Sequence, residues 1–330
     1  MPQYWKHFPD IQNQLDDVCT MIATRTAIRN TDISQAIVQL SQAGGKYLRP
    51  AFFFLFASLG SLQQPQQQSK QEDLIKIATS LEILHMATLI HDDVIDDSPL
   101  RRNQPTIQTT FGKDVAVYTG DFLFTVFFEL ILETMEGSPF MAINAQAMKK
   151  ILVGELDQMA LYYNQAQTIQ DYLRAISGKT AALFKLACQE GAYFGGSDAK
   201  TVHLAGRIGY AIGMTFQILD DILDYTASPK DFTKPVLEDV RNGVYSLPLL
   251  LALREKASQI QPLLDKKAAI TDTELKQLAK LVKQAKGIDQ ARSLANRFTQ
   301  KALADIERLP DSKRRKELLS LTKHLLSRQV

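Results

Sequence analysis

The chain has 330 residues, 45% hydrophobic and 22% charged, with a formal net charge of +2; this is the composition of a folded globular protein, not a disordered one. Near-neutrality argues against a nucleic-acid-binding surface spread over the molecule. Its two cysteines, Cys19 and Cys188, stand far apart without paired metal spacing, so neither a disulfide framework nor a zinc site is expected and a reducing cytoplasm fits.

In chain order, the opening stretch MPQYWKHFPDIQNQLDD lacks the basic end and apolar core of a signal peptide. The longest apolar run, residues 51–62, falls short of the ~20 residues a spanning helix needs, so membrane contact is expected to be peripheral at most. Helical periodicity dominates, interrupted by Gly44-Gly45, Ser98-Pro99, Gly137-Ser138-Pro139 and Gly195-Gly196. The polar, Gln-rich residues 61–73 read as a surface loop. From Ala268 onward the pattern predicts two or three amphipathic helices, and the basic run Lys313, Arg314, Arg315 and Lys316 reads as a solvated helix face. With no composition break and no repeat, a single all-α domain over 1–330 is expected.

Two acidic motifs carry the chemistry. In LIHDDVIDDSPLRR (89–102), Asp92 and Asp96 share a helix face, with Asp93 and Asp97 beside them. Like charges at that spacing cost a free helix a few tenths of a kcal/mol per pair. Solvent or a cation must compensate, and carboxylate oxygens suit Mg²⁺. In FQILDDILDYT (216–226), Asp220 and Asp224 repeat the spacing, with Asp221 adjacent. One such motif alone reads more readily as a charged helix face. Two, each behind an apolar run, would hold several Mg²⁺ ions around one diphosphate if they faced each other across a bundle. Arg101 and Arg102 follow the first motif, and Lys46 and Arg49 sit in GGKYLRP (44–50), where glycines admit an anion to backbone N–H groups. Taken alone, GGK is more often a loop with a solvated lysine. His85, about two helical turns before Asp92, is by itself an ordinary core or rim residue.

GGKYLRP, LIHDDVIDDSPLRR, GDFLF (120–124), GELDQ (154–158), GKTAALF (178–184) and FQILDDILDYT follow one another in this order. Together they resemble the trans-isoprenyl diphosphate synthases over most of the chain. The pattern is nearest the bacterial medium- and long-chain enzymes, including the catalytic component of heptaprenyl diphosphate synthase. The resemblance implies an all-α bundle of the isoprenoid synthase type with a central active-site cavity. It also implies Mg²⁺-dependent, head-to-tail condensation of isopentenyl diphosphate with an allylic diphosphate, farnesyl or geranyl. Asp92, Asp93, Asp96, Asp220, Asp221 and Asp224 would then bind about three Mg²⁺ ions with substrate present. Arg101, Lys179, Thr180, Gln217 and Lys234 would surround the allylic diphosphate. Lys46, Arg49, His85 and Arg102 would hold that of isopentenyl diphosphate. Asp92, Asp96, Arg101, Lys179, Asp220 and Lys234 form the implied catalytic set, and residues 227–244 a candidate lid. Two departures stand out: Thr233 precedes Lys234 where relatives often have glycine, and Val244 occupies a frequent lysine position, which puts one phosphate contact in question.

In the family this chain resembles, the helix before the first acidic motif, here opening at Asp92, acts as a ruler for product length. Ala87 lies five residues back, roughly 7 Å along the axis, followed by Thr88; farnesyl-specific relatives carry bulk there. Small residues imply a tunnel that continues past farnesyl, with Leu84 and Leu81 deeper and Phe124, Phe127 and Phe128 as a floor, although such residues at helical spacing are ordinarily core. With small residues at that step back along the helix, the resemblance favours a product of roughly thirty to forty carbons, with geranylgeranyl diphosphate as the alternative. A terpene cyclase is disfavoured by the intact second DDxxD, and an inactive regulatory subunit by the retained aspartates and arginines. The resemblance further implies a homodimer, with helical residues 122–132 as candidate contacts, and leaves room for a small accessory subunit.

Overall fold

The computed structural model describes residues 5–6, 8–60, 70–226 and 237–326. The helices are α1 (Pro9–Arg25), α2 (Thr31–Gln42), α3 (Leu48–Gly60), α4 (Gln71–Ile95), α5 (Ile107–Phe111), α6 (Lys113–Met135), α7 (Phe140–Ala160), α8 (Ile169–Ile176), α9 (Ala182–Phe194) and α10 (Ala199–Thr226). They continue as α11 (Glu238–Arg241), α12 (Leu247–Leu264), α13 (Asp272–Gln284), α14 (Gly287–Glu307) and α15 (Lys313–Leu326). A π-helical turn, Ser177–Ala181, joins α8 to α9. Among the described residues the one sheet is a ladder of β1 (Leu100–Arg101) and β2 (Gln104–Pro105). The all-α expectation therefore holds, and each predicted breaker lies at or just beyond a helix end. Helix α4 begins at Gln71, so the last three residues of the expected 61–73 loop are helical; residues 61–69 lie outside the described residues.

Contacts divide the chain into two compact units, Met1–Ala145 with Leu186–Ala205, and Gln146–Lys185 with Gly206–Val330. In the first unit α3 is apolar on every side and Phe52 through Phe56 are fully buried, as a helix without a polar face must be. A Cβ on Gly191 would meet the Phe53 carbonyl at 2.2 Å, so only glycine lets α9 lie this close to α3. Helix α4 packs against α1, α3 and α6. Both α4 and α6 are long and apolar enough to cross a bilayer by length and composition, although neither is an unbroken apolar run. Most of the apolar window of α4 is buried within the protein. Helix α6 also shows an outer apolar face with Tyr118, Phe128 and Leu132 at 76%, 39% and 57% exposure.

One buried polar pair lies in this unit. Asn144 and Glu190 have no exposed surface; Asn144 Nδ2 donates to Glu190 Oε1 at 2.6 Å and to the Phe140 carbonyl at 2.8 Å. Glu190 Oε2 and Asn144 Oδ1 have no hydrogen-bond partner.

In the second unit α12 packs on α13 and α14, and α14 on α15. Thr168 and Thr271 start α8 and α13 with reciprocal capping boxes, each satisfying otherwise orphaned backbone donors. Of the basic run, Lys313 and Lys316 are exposed as expected, while Arg314 and Arg315 are half-buried and paired, Arg314 with Glu317 at 2.8 Å and Arg315 with Asp311 at 2.5 Å.

Candidate active site

In the first unit the C-terminal turn of α4 presents the first acidic motif. At about 100° per residue, Asp92, Asp96 and His85 fall within roughly 40° of one another, whereas Asp93 is rotated about 100° away. Asp92 is half-buried and Asp96 exposed, while Asp93 is only 4% exposed. Both oxygens of Asp93 are taken by Arg101, whose Nε lies 2.8 and 2.9 Å from them and whose Nη2 lies 2.7 Å from Oδ1. Asp93 thus anchors Arg101 in a bidentate, charge-assisted pair. Gln108 Nε2 fastens the same helix end by donating to the carbonyls of Asp93 and Ser98 at 2.9 and 3.0 Å. Asp97 pairs with Lys113 at 2.9 Å.

Arg101 returns to Asp93 because β1 and β2 pair tightly, Arg101 opposite Gln104. The two linking residues, Arg102 and Asn103, have φ of 53° and 64°, as a two-residue hairpin turn requires. For arginine that conformation costs roughly 1–2 kcal/mol. It sends the Arg102 guanidinium to Gly45, where an added Cβ would stand 2.7 Å from Nη1. The GGKYLRP segment is itself shaped by positive φ at Gly44 and Tyr47. Its Lys46 carbonyl accepts from Trp5 Nε1 at 2.7 Å.

Arg49, His85 and Arg102 share one electrostatic neighbourhood. Burial draws the Arg49 guanidinium down to about 10, with Glu82 opposing and Arg102 adding to the fall. Burial, then Arg49, Arg102 and Arg101, hold the His85 imidazole well below its usual value, so it is neutral at pH 7. The counter-charge is Glu82, 6% exposed; burial raises its carboxyl while Arg49 and Arg102 pull it back. Three cationic or polar groups around one buried carboxylate form a pre-organised anion site, since their net charge remains positive. Glu82 was not singled out from the sequence. A lone acid three residues before His85 in an apolar helix was the available signal.

Along the α4–α6 seam, Leu81, Leu84 and Ala87 have no exposed surface, and the Thr88 hydroxyl donates to the His85 carbonyl at 2.8 Å. The His91 ring packs against Gly120, where a Cβ would stand 2.4 Å from Nε2. That nitrogen lies 3.2 Å from Asp121 Oδ1 and 3.3 Å from the Val117 carbonyl. The ring centroid is 5.3 Å from that of Phe124. GDFLF thus has a local reason: glycine admits the imidazole, aspartate holds it and Phe124 covers it. Phe127 is fully buried, but Phe128 is 39% exposed on the outer face, so it is not part of a floor.

The second unit holds the second motif on α10. Tyr172 Oη donates to Asp221 Oδ2 at 2.6 Å, Gln217 Nε2 to Asp221 Oδ1 at 2.8 Å, and Thr180 Oγ1 to Gln217 Oε1 at 2.6 Å. Asp221 is 7% exposed, and burial, with Asp239 and Asp220, raises it to about 7. Burial and Asp239 push Asp224 up strongly. Asp220 and Asp239 raise their neighbours Asp221 and Asp224, and carboxylates gathered in this way suit a divalent cation, the observation that fits a metal to this cluster. Like Asp93, Asp221 has both oxygens engaged by side-chain donors. Asp239, on α11, was not foreseen. Lys179 Nζ lies 2.9 Å from Glu155 Oε2, which gives GELDQ its glutamate. Its glycine is explained as well, because a Cβ on Gly154 would stand 2.8 Å from the Lys179 backbone nitrogen. Lys234, Thr233 and most of the expected lid lie outside the described residues; Glu238–Arg241 of that segment is helical. Val244 donates its N–H to the Asp239 carbonyl at 2.8 Å. Among the described residues no three acidic, histidine or cysteine side chains converge as a closed metal site.

A family model described as polyprenyl synthetase matches residues 30–284. The chain belongs to the polyprenyl synthetase family. Component 2 of the Bacillus subtilis heptaprenyl diphosphate synthase is 35% identical over 300 residues, 90% of this chain and 83% of that protein. The crystal structure of a geranylgeranyl pyrophosphate synthase from Lactobacillus brevis superposes with a TM-score of 0.93 at 43% identity, covering 99% of each chain. A polyprenyl synthase from Caulobacter crescentus, complexed with calcium and isoprenyl diphosphate, superposes at 0.88 with 29% identity, covering 97% of this chain and 96% of that one. As a polyprenyl synthetase, the chain brings together Arg49, His85 and Arg102 in one unit, and Thr180, Gln217 and Asp221 in the other.

Proposed function

We propose that this polyprenyl synthetase condenses isopentenyl diphosphate with an allylic diphosphate to give an all-trans polyprenyl diphosphate of roughly thirty to forty carbons, a length that the small Ala87 and Thr88 on the helix before Asp92 support. The observation that carries the reading is the pair of complementary arrangements, a basic one around Glu82 suited to a diphosphate and an acidic one around Asp221 suited to a divalent metal. Asp92, Asp96, Asp220 and Asp224 would hold Mg²⁺, and the calcium in the Caulobacter relative supports a divalent metal here. When bound, Mg²⁺ supplies positive charge on the departing pyrophosphate. Lys46, Arg49, Arg102 and neutral His85 orient isopentenyl diphosphate by hydrogen bonds to its phosphates. Arg101, Lys179, Lys234, Thr180 and Gln217 do so for the allylic diphosphate as its C–O bond ionises. In the ligand-free state Asp93 holds Arg101 and Glu155 holds Lys179 in place. The homoallylic double bond then attacks the cation, and a proton leaves to the released pyrophosphate.

Fully buried Ala87, Leu84 and Leu81 would line the tail-binding seam, with Phe124 and Phe127 as its floor. A geranylgeranyl product is the second reading, favoured by the Lactobacillus relative. The exposed apolar face of α6 would pair two copies of the chain, and the "component 2" name of the Bacillus relative keeps an accessory subunit in view. The two free cysteines, Cys188 buried, support a reducing cytoplasm. Incubation with Mg²⁺, isopentenyl diphosphate and farnesyl diphosphate, followed by chromatography against length standards, tests the reading. Elongation beyond geranylgeranyl supports it, a geranylgeranyl end product selects the second reading, and no elongation refutes both. Ala87→Phe should then shorten the product; an unchanged length would remove α4 from the tail seam.

A further inference from the structure

The geometry points to Tyr172 as a positioning residue for the second acidic motif, an inference that rests on the proposed synthase reading. Tyr172 lies on α8, 49 residues from Asp221, and the two meet at 2.6 Å. Both are buried, at 4% and 7% exposure, so this is a short, charge-assisted bond shielded from water. From Asp221 the chain of bonds continues through Gln217 to Thr180 at 2.8 and 2.6 Å. It therefore ends on the π-helical turn that also carries Lys179. Such turns are costly insertions in a helix and occur mostly at functional sites. Here the turn is tied to α10 by Thr180 and, through α8, by Tyr172.

Each member of the chain has its orientation fixed by the next. Tyr172 has no acceptor role in the chain, only a hydroxyl to donate, and it sets which oxygen of Asp221 faces Gln217. Gln217 consequently presents its amide NH₂ to Asp221 and its carbonyl to Thr180. The Thr180 hydroxyl thereby donates to Gln217 at the edge of the chain of bonds. On α10, Asp220 and Asp224 flank Asp221 on the same helical turns. Fixing Asp221 fixes the rotation of that stretch and, with it, where those two carboxylates point. Tyr172 thus acts on metal and diphosphate through Asp221 without touching either, in the way outer-shell partners orient metal ligands.

The test is Tyr172→Phe, which keeps the ring and removes the hydroxyl. Two Mg²⁺ titrations are made on variant and wild type: turnover of farnesyl and isopentenyl diphosphate, and the rise in melting temperature with Mg²⁺ plus inorganic pyrophosphate. The variant should need about 10–100-fold more Mg²⁺ for half-effect in both, the usual penalty for losing an outer-shell partner. Its KM for isopentenyl diphosphate should be unchanged. A variant that melts early is titrated at a temperature where it remains folded, under the same criteria. Unchanged Mg²⁺ dependence in both titrations would overturn the role, even if the melting temperature fell. Wild type that elongates nothing would instead sink the synthase reading, and the pyrophosphate titration would still decide on Tyr172.

Discussion

Replacing Glu190 with glutamine should make the protein more stable at alkaline pH and leave it nearly unchanged in mild acid. Burial pushes the Glu190 carboxyl from an ordinary 4.5 up to about 8, and only the Asn144 hydrogen bond lowers it. Between those values the folded protein holds a proton that the unfolded chain has released, so stability falls as pH rises, by up to about 1.4 kcal/mol per unit. The contribution is fully present below the unfolded value and is lost as pH climbs to the folded one. From pH 5 to pH 8 the loss comes to about 3–4 kcal/mol. The neutral acid can return a hydrogen bond to Asn144 Oδ1, which the carboxylate leaves without a partner. Glutamine keeps the acceptor for Asn144 Nδ2 and supplies a donor at every pH. With an unfolding entropy scaled to this length, Glu190→Gln should melt roughly 5 °C above wild type at pH 8 and within about a degree of it at pH 5. Circular-dichroism melts at pH 5, 6, 7 and 8 measure the gap. A gap independent of pH, or a variant less stable at pH 8, would refute the reasoning.

Three further outcomes are expected. Glu82→Gln removes the buried counter-charge of Arg49 and Arg102 and should raise KM for isopentenyl diphosphate about tenfold or more, leaving that for the allylic substrate within about twofold; steady-state kinetics with each substrate varied would show it. Gly120→Ala places a methyl 2.4 Å from His91 Nε2 and should cost about 1–3 kcal/mol in urea unfolding. Adding His91→Ala should recover part of that loss, and simple additivity would contradict the contact. Leu132→Glu, on the apolar face of α6, should convert a dimer to a monomer in sedimentation velocity; a monomeric wild type at micromolar concentration would remove the premise.

Helix boundaries were legible because glycine and proline break a helix whatever surrounds them, and Gly137-Ser138-Pro139 separates α6 from α7 as that rule demands. Acidic faces were legible from spacing alone, and on α4 the spacing already set Asp93 about 100° from Asp92. What Asp93 does there depended on a hairpin that no helical periodicity describes. Its partner Arg101 returns across eight residues only because two non-glycine residues adopt left-handed geometry. Tyr172 left still less trace, since nothing in local pattern connects positions 49 apart. The seam around His91 was half visible: GDFLF could be quoted, but the glycine's purpose appears only once the imidazole occupies the space a methyl would fill. The π-helical turn has no hydrophobic period of its own and could not be read at all.

The turn at Arg102 and Asn103 sets stability against activity within two residues. A glycine at position 102 would relieve a backbone that arginine adopts at a cost of roughly 1–2 kcal/mol, and would also remove the guanidinium resting on Gly45. Laboratory evolution for heat resistance alone would therefore be drawn to this position and would yield hardier, poorer catalysts. Thermostabilisation campaigns on this enzyme should hold Arg102 fixed and look for their gains elsewhere, with the Asn144–Glu190 pair an evident place to begin.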